Sequence, residues 1–242
     1  GHVKTHPASI LRVMPSSPAG HVAIELNLKG PNWTIATACT SGSHAIGQAC
    51  ELIRSGKADL MLAGGTEAPL VYYTFAGFDA MQVMSPNNED YSNASRPFDK
   101  KRDGFVMGEG AGMLVIEDLE HALHRNAHIY VEVLGYGVSC GAHHIVLPVE
   151  NGEDAARAIQ DALSQAGLSP EDVDYINAHG TSTQANDLAE TRAIKTVFGN
   201  ADCGIPISAT KSMIGHALGA AGAIEAIVSC LTIEHKIIPP TI

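Results

Sequence analysis

Short apolar, β-branched runs alternate with stretches of helical composition along this chain, and that alternation confines it to an α/β fold. Thr34-Ile35-Ala36-Thr37-Ala38 predicts a buried strand. The small polar residues Thr40-Ser41-Gly42-Ser43 then open a helix from about Ala45 to Arg54, stopped by Ser55-Gly56. Asp59 to Gly65 is the next strand, which predicts a βαβ unit. A helix is also expected over Ala19 to Leu28, and residues 66–108 read as a long irregular segment. A strand at Met113–Ile116, a helix at Glu117–Arg125 and a strand from Ile129 to Gly135 follow.

From about residue 128 the pattern begins again. A helix at Glu153–Ala166 ends at Gly167, and a strand from Val173 to Ala178 runs into His179-Gly180-Thr181-Ser182-Thr183. A helix from Asp187 to Phe198, a strand from Ile205 to Thr210 and a last helix reaching about His235 complete the chain. Element order therefore divides it into two similar α/β halves, 1–127 and 128–242. Ligands of open α/β sheets collect at the carboxyl ends of strands. Cys39, His179 and Lys211 all fall at such ends.

Aromatic residues are only 5 % of the sequence while glycine numbers 24, so the core must be built from aliphatics, alanine and close backbone contacts. The net charge of −11 argues against general affinity for nucleic acid or anionic membrane. One dense basic cluster, Arg96, Lys100, Lys101 and Arg102, reads as a solvated loop or a local patch for an acidic partner. Cys39, Cys50, Cys140, Cys203 and Cys230 form no CxxC pair, which suits a reducing cytoplasm rather than a disulfide or zinc framework. Neither a signal peptide nor an apolar run of membrane-spanning length is expected. Gly108-Glu109-Gly110-Ala111-Gly112 precedes a strand instead of following one, so it is no nucleotide loop.

A thiol between a strand end and a helix start meets free N–H groups and the positive end of the helix dipole, so Cys39 is expected to be unusually acidic and nucleophilic. Free cysteines are also common as inert core residues. His179 reads either as structural or as a partner of that thiol. His216 opens a helix rich in small residues (Gly215, Gly219, Gly222, Ala217, Ala220, Ala221 and Ala223), whose spacing allows close packing. At that helix start the imidazole is expected to be neutral. Glu225, on the same helix, is either a surface acid or the partner of Lys211.

Several ordered strings carry a resemblance: A-G-G-T-E at 63–67, R-P-F-D-K-K-R-D-G-F-V-M-G-E-G-A-G at 96–112, and T-A-C-T-S-G, N-A-H-G-T-S-T and T-K-S-M-I-G-H-A-L-G-A-A-G. The chain resembles the condensing β-ketoacyl-[acyl carrier protein] synthases, above all the elongating type II class. The resemblance implies a thiolase-like fold of duplicated α/β halves in alternating helix and sheet layers, as a homodimer. It makes Cys39 the acylated nucleophile, and His179 and His216 the pair that promotes malonyl decarboxylation. Lys211 becomes a supporting lysine with Glu225 its partner. Thr181 and Thr183 would line the phosphopantetheine tunnel, and Phe78 would border the acyl pocket.

The substrates would arrive on acyl carrier protein, with no metal or redox cofactor. An initiating synthase would replace the second histidine by asparagine and a biosynthetic thiolase by a second cysteine. A polyketide ketosynthase remains the nearest rival. A Cys–His hydrolase would need an acid to orient its base, a position open to Asp187. A non-catalytic fragment is the third reading. Relatives carry an acid where this chain has Gly141, begin before Gly1, and continue past Ile242 with a Gly-Phe-Gly-Gly-Thr-Asn segment.

Overall fold

The computed structural model describes residues 6–199 and 204–242. Cys203 lies outside the described residues.

Two short helices, α1 (Ser9–Val13) and α2 (Ser17–Glu25), lead into an extended stretch that ends at the 3₁₀ turn Ala38–Thr40. Helix α3 (Ser41–Arg54) continues from that turn. Strand β1 (Leu60–Glu67) pairs antiparallel with β2 (Gly110–Glu117), Leu60 opposite Glu117 and Glu67 opposite Gly110. Between them lie α4 (Tyr72–Ala80) and a 3₁₀ turn at Tyr91–Asn93, so the segment expected to be irregular carries a helix. Helix α5 (Leu119–His124) follows β2 at once, its first turn capped by the Asp118 carboxylate accepting from His121 N–H.

In the second half, α6 (Glu153–Ala166) ends where expected, with Gly167 in the left-handed conformation at φ 68°. Strand β3 (Ile176–Asn177) pairs in parallel with β4 (Ile207–Ser208), flanking α7 (Gln184–Phe198). The expected continuous last helix is broken into α8 (Lys211–Ile214), a 3₁₀ turn at Leu218–Ala220, and α9 (Ala221–His235). Gly215, at φ 72°, stops α8, because a side chain there would be strained.

Two expected strands differ. Among the described residues, Thr34–Thr37 and Ile129–Gly135 join no ladder, and Ala38 belongs to the 3₁₀ turn that follows. The βαβ pairing is therefore absent, since the ladder of β1 is the antiparallel one with β2. Thr34, Ile35 and Ala36 line, together with residues of β1, a cavity of about 820 Å³. Strandlike composition reports a preference for a pleated, half-buried surface, and a ladder also needs a partner.

The core is aliphatic and small, as composition required. Ile46, Ala49 and Cys50 of α3 pack with Ala63 of β1 and Ala223 of α9, flanked by Met61, Leu114 and Ile116. The approach of α3 to α9 depends on glycine: a Cβ on Gly42 would stand 2.7 Å from Ala223 N, and one on Gly222 only 2.0 Å from Ser43 Oγ. Leu218–His235 is apolar and long enough, by length and composition, to cross a membrane. In this structure it packs on α3 and both strands and carries Glu225, the partner of buried Lys211. Arg54, at the end of α3, ties the halves by donating to the carbonyls of Val133 and Leu134.

Candidate active site

Three backbone turns bring the chemistry together. The first holds Cys39. Thr37 N–H donates to Ser41 Oγ at 2.9 Å, Ser41 Oγ donates to Ala38 O at 2.7 Å, and Thr40 Oγ1 donates to Thr37 O at 2.7 Å. Ala38 is thereby kept at φ 54°, a strained value for a residue with a Cβ. The chain turns sharply there and presents Cys39 just ahead of α3.

The second turn follows β3 and carries His179. Its N–H and that of Gly180 both donate to the Glu190 carboxylate, at 2.6 and 2.8 Å. The third carries Lys211 and His216. The backbone at His216 is paired with Met107: its N–H donates to Val106 O at 2.7 Å, and its carbonyl accepts from Gly108 N–H at 2.9 Å. His216 thus sits in a bridge between α8 and the next turn. It is not at a helix start, which corrects the sequence expectation.

The side chains converge. His216 Nε2 lies 3.1 Å from Cys39 Sγ, and the two imidazoles meet edge to face with centroids 5.3 Å apart. Lys211, 1 % exposed, points its ammonium at Glu225 Oε1, at His179 O (2.6 Å) and at His179 Nδ1 (3.2 Å). Leu218 N–H donates to His216 Nδ1 at 3.2 Å. An ammonium and an amide N–H have nothing to accept with, so both Nδ1 atoms are acceptors. Each ring therefore carries its proton on Nε2.

Burial, reinforced by the nearby Lys211 charge, pushes His216 down to about 3 and His179 well below the usual histidine range. Both imidazoles are neutral near pH 7; for His216 this is the state expected from sequence, but it arises through burial and Lys211 and not through a helix dipole. Cys39 departs from expectation. Burial pushes its thiol above the ordinary range; Lys211 and its own backbone N–H oppose this, and Glu225 and Glu67 add to it. Position ahead of α3 does not outweigh lost solvent.

The alkylation rate of Cys39 should therefore keep rising with pH beyond about 8.5, where an ordinary thiol is half ionised. Because the Lys211 charge lowers this pKa, Lys211→Met should move the midpoint further alkaline. Peptide mapping after limited alkylation across a pH series measures both. A Cys39 midpoint below the ordinary value would contradict the burial argument.

The remaining expected residues are placed as follows. Thr181 is buried and its hydroxyl meets that of Thr183 at 2.8 Å; Thr183 also caps α7 by accepting from Asn186 N–H. Phe78 packs edge-on against Phe105, which packs edge-on against His216, so Phe78 stands one layer out. A Cβ on Gly141 would meet Asp154 Oδ2 at 2.9 Å, so an acid there would face a second carboxylate. In the basic cluster, Arg96 and Arg102 are internal ties. Arg96 bonds Asn93 O, Lys101 O and Asp103, and Arg102 bonds Thr183 O and Gln184 O.

Residues 1–122 match the description "Beta-ketoacyl synthase, N-terminal domain", and residues 130–242 match "Beta-ketoacyl synthase, C-terminal domain". The chain belongs to the beta-ketoacyl synthase family. It is 49 % identical over all 242 residues to 3-oxoacyl-[acyl-carrier-protein] synthase 2 of Staphylococcus aureus and 50 % identical to that of Synechocystis sp.. It spans 60 % and 58 % of those curated relatives. Among solved structures, a beta-ketoacyl synthase from Burkholderia phymatum STM815 superposes with a TM-score of 0.93 at 42 % identity, covering 100 % of this chain and 58 % of that one. A type II PKS acyl-carrier protein in complex with its ketosynthase bound to the hexaketide matches at TM-score 0.94 and 43 % identity, covering 98 % of this chain and 58 % of that one. The fold is thus the thiolase-like α/β fold of ketosynthases.

Three residues around this site gave no sequence signal strong enough to single them out as structural ties. Glu190 is held above the ordinary carboxyl range by burial, against the two N–H groups it receives from the His179 turn. Asp187, 1 % exposed, receives Thr181 N–H, Phe98 N–H and Asn186 Nδ2, and faces Arg102 Nε at 3.4 Å. Glu67 receives Gly219 N–H at 3.2 Å and tethers the turn after His216 to β1. For Glu190, its place one helical turn after Asp187 is a usable hint, because residues three apart share a helix face.

Proposed function

We propose that the protein is a β-ketoacyl-[acyl carrier protein] synthase that elongates fatty acids by decarboxylative Claisen condensation. One observation carries the reading: each Nδ1 faces a donor, which puts the proton of both neutral rings on Nε2, and a nitrogen of each ring lies within 4.8 Å of the Cys39 sulfur. Such a pair can bind a thioester oxygen as it gains negative charge, with no proton transfer required.

In this reading Cys39 Sγ attacks an acyl thioester, forming the Cys39 thioester as the carrier thiol leaves. Malonyl carrier protein then loses CO₂, and the electron pair of the broken C–C bond moves into an enolate held by His179 and His216. The enolate carbon attacks the acyl carbonyl, and Cys39 leaves as thiolate. Lys211, anchored by Glu225, positions His179. Thr181 and Thr183 line the approach of the phosphopantetheine arm, and Phe78 borders the acyl pocket. No metal or redox cofactor enters these steps. The partner is acyl carrier protein, the assembly a homodimer and the compartment the cytoplasm, with neither nucleic acid nor membrane as a partner. The halves divide at 127/128.

A ketosynthase of a polyketide pathway is the second reading, favoured by the type II PKS match at 43 % identity. A Cys–His hydrolase is not supported. Its base needs an Nδ1–H donating to an acid, whereas both Nδ1 atoms here accept, and Asp187 is engaged by Phe98, Thr181 and Arg102.

Incubating the full-length protein with acyl and malonyl carrier proteins tests the proposal. A β-ketoacyl thioester two carbons longer, absent with Cys39→Ala, is expected. Release of free acid without elongation would overturn it.

A further inference from the structure

The sulfur of Cys39 and a nitrogen from each of His179 and His216 all lie within 4.8 Å of one another. One thiol and two imidazoles make a donor set suited to Zn²⁺ and similar divalent ions. A histidine that ligates metal must direct a lone pair at it. Its other nitrogen keeps the proton and donates to a carboxylate, carbonyl or water. Both rings here are arranged in the opposite sense. Leu218 N–H stands 3.2 Å from His216 Nδ1, and Lys211 Nζ stands 3.2 Å from His179 Nδ1. Lys211 cannot turn that direction into an acceptor, and Glu225 Oε1 and His179 O take its other two protons.

We infer that the Lys211 ammonium and the Leu218 amide keep the Cys39–His179–His216 cluster from becoming a metal site. They hold both imidazoles in the Nε2–H form, so a cation nearing the sulfur meets two N–H groups in place of two lone pairs. Coordination through either Nε2 would leave an Nδ1–H facing another N–H, or require an imidazolate. The Lys211 charge adds repulsion. A nucleophilic thiol beside two histidines would otherwise be open to capture by any thiophilic ion, whatever reaction it performs. Lys211 is thus a positioning residue that sets a tautomer and thereby fixes what can bind.

The probe is Co²⁺ added to the full-length protein, read through the thiolate-to-cobalt charge-transfer absorption. In Lys211→Gln, the amide oxygen can accept from His179 Nδ1–H and free Nε2 to coordinate. Removing such second-sphere control changes metal affinity by about 10–100-fold in known sites. Lys211→Gln should therefore bind Co²⁺ about 10–100-fold more tightly than wild type, with a band that disappears when Cys39→Ala is added. Lys211→Arg, still a donor-only cation, should stay at the wild-type level. If Lys211→Gln loses its cooperative melt, the paired variant Lys211→Gln/Glu225→Gln, which leaves no lone buried carboxylate, replaces it in the same titration. Equal Co²⁺ affinity in wild type and the glutamine variant, whether tight or weak, would overturn the inference.

Discussion

Replacing His216 by alanine in the full-length protein is expected to leave Cys39 able to take up an acyl group while cutting CO₂ release by about 10²–10³. The imidazole cannot take the proton of Cys39, because its Nε2 already carries one and its Nδ1 accepts from Leu218 N–H. Its capacity is to donate, and charge for it to meet builds on the malonyl thioester oxygen as CO₂ departs. A preorganised donor aimed at such an oxygen contributes about 2.7–4 kcal/mol to the barrier. Since burial and the Lys211 charge hold His216 at about 3 and His179 well below the usual histidine range, neither should give decarboxylation an acidic limb near the ordinary histidine pKa of about 6.5. Single-turnover mass measurement of the acyl-enzyme, beside a CO₂-release assay, separates the two steps. Loss of acylation with normal decarboxylation would show that this residue serves the nucleophile instead.

Helices were more legible in the sequence than sheets, for a physical reason. A helix closes its own hydrogen bonds, so local signals such as the Gly167 stop of α6 and the Gly199 stop of α7 bound it without reference to the rest of the chain. A strand needs a partner, and Thr34–Ala38 and Ile129–Gly135 have strand composition with no ladder among the described residues. The same divide runs through the site. Cys39, His179, Lys211 and His216 follow turns that sequence marks, and the structure brings them together. What surrounds them was hidden. The break after Gly215 moves His216 off a helix start, and burial raises the Cys39 thiol, because both depend on elements remote in sequence.

Asp187→Ala should cost about 3–5 kcal/mol of stability, the scale for removing one partner of a buried ion pair. Asp187 holds more than Arg102. Its Oδ2 receives Phe98 N–H at 2.8 Å and its Oδ1 receives Thr181 N–H at 3.1 Å. Phe98 itself stands at φ 65°, and the residue after Thr181, Ser182, at φ 67°. Such conformations cost about 1–3 kcal/mol each and persist only where surrounding bonds impose them. Alanine would orphan both amides, leave Arg102 half-paired and release the two strained turns together. Asp187→Asn, which keeps one acceptor oxygen, should fall between alanine and wild type. Thermal melts of the three full-length proteins, run beside Cys39 acylation at a temperature where all are folded, distinguish scaffold from chemistry. An unchanged melt with lost acylation would assign Asp187 to the reaction, as the orienting acid of a Cys–His pair. A lowered melt with acylation retained is what its four hydrogen-bonded or ionic neighbours require.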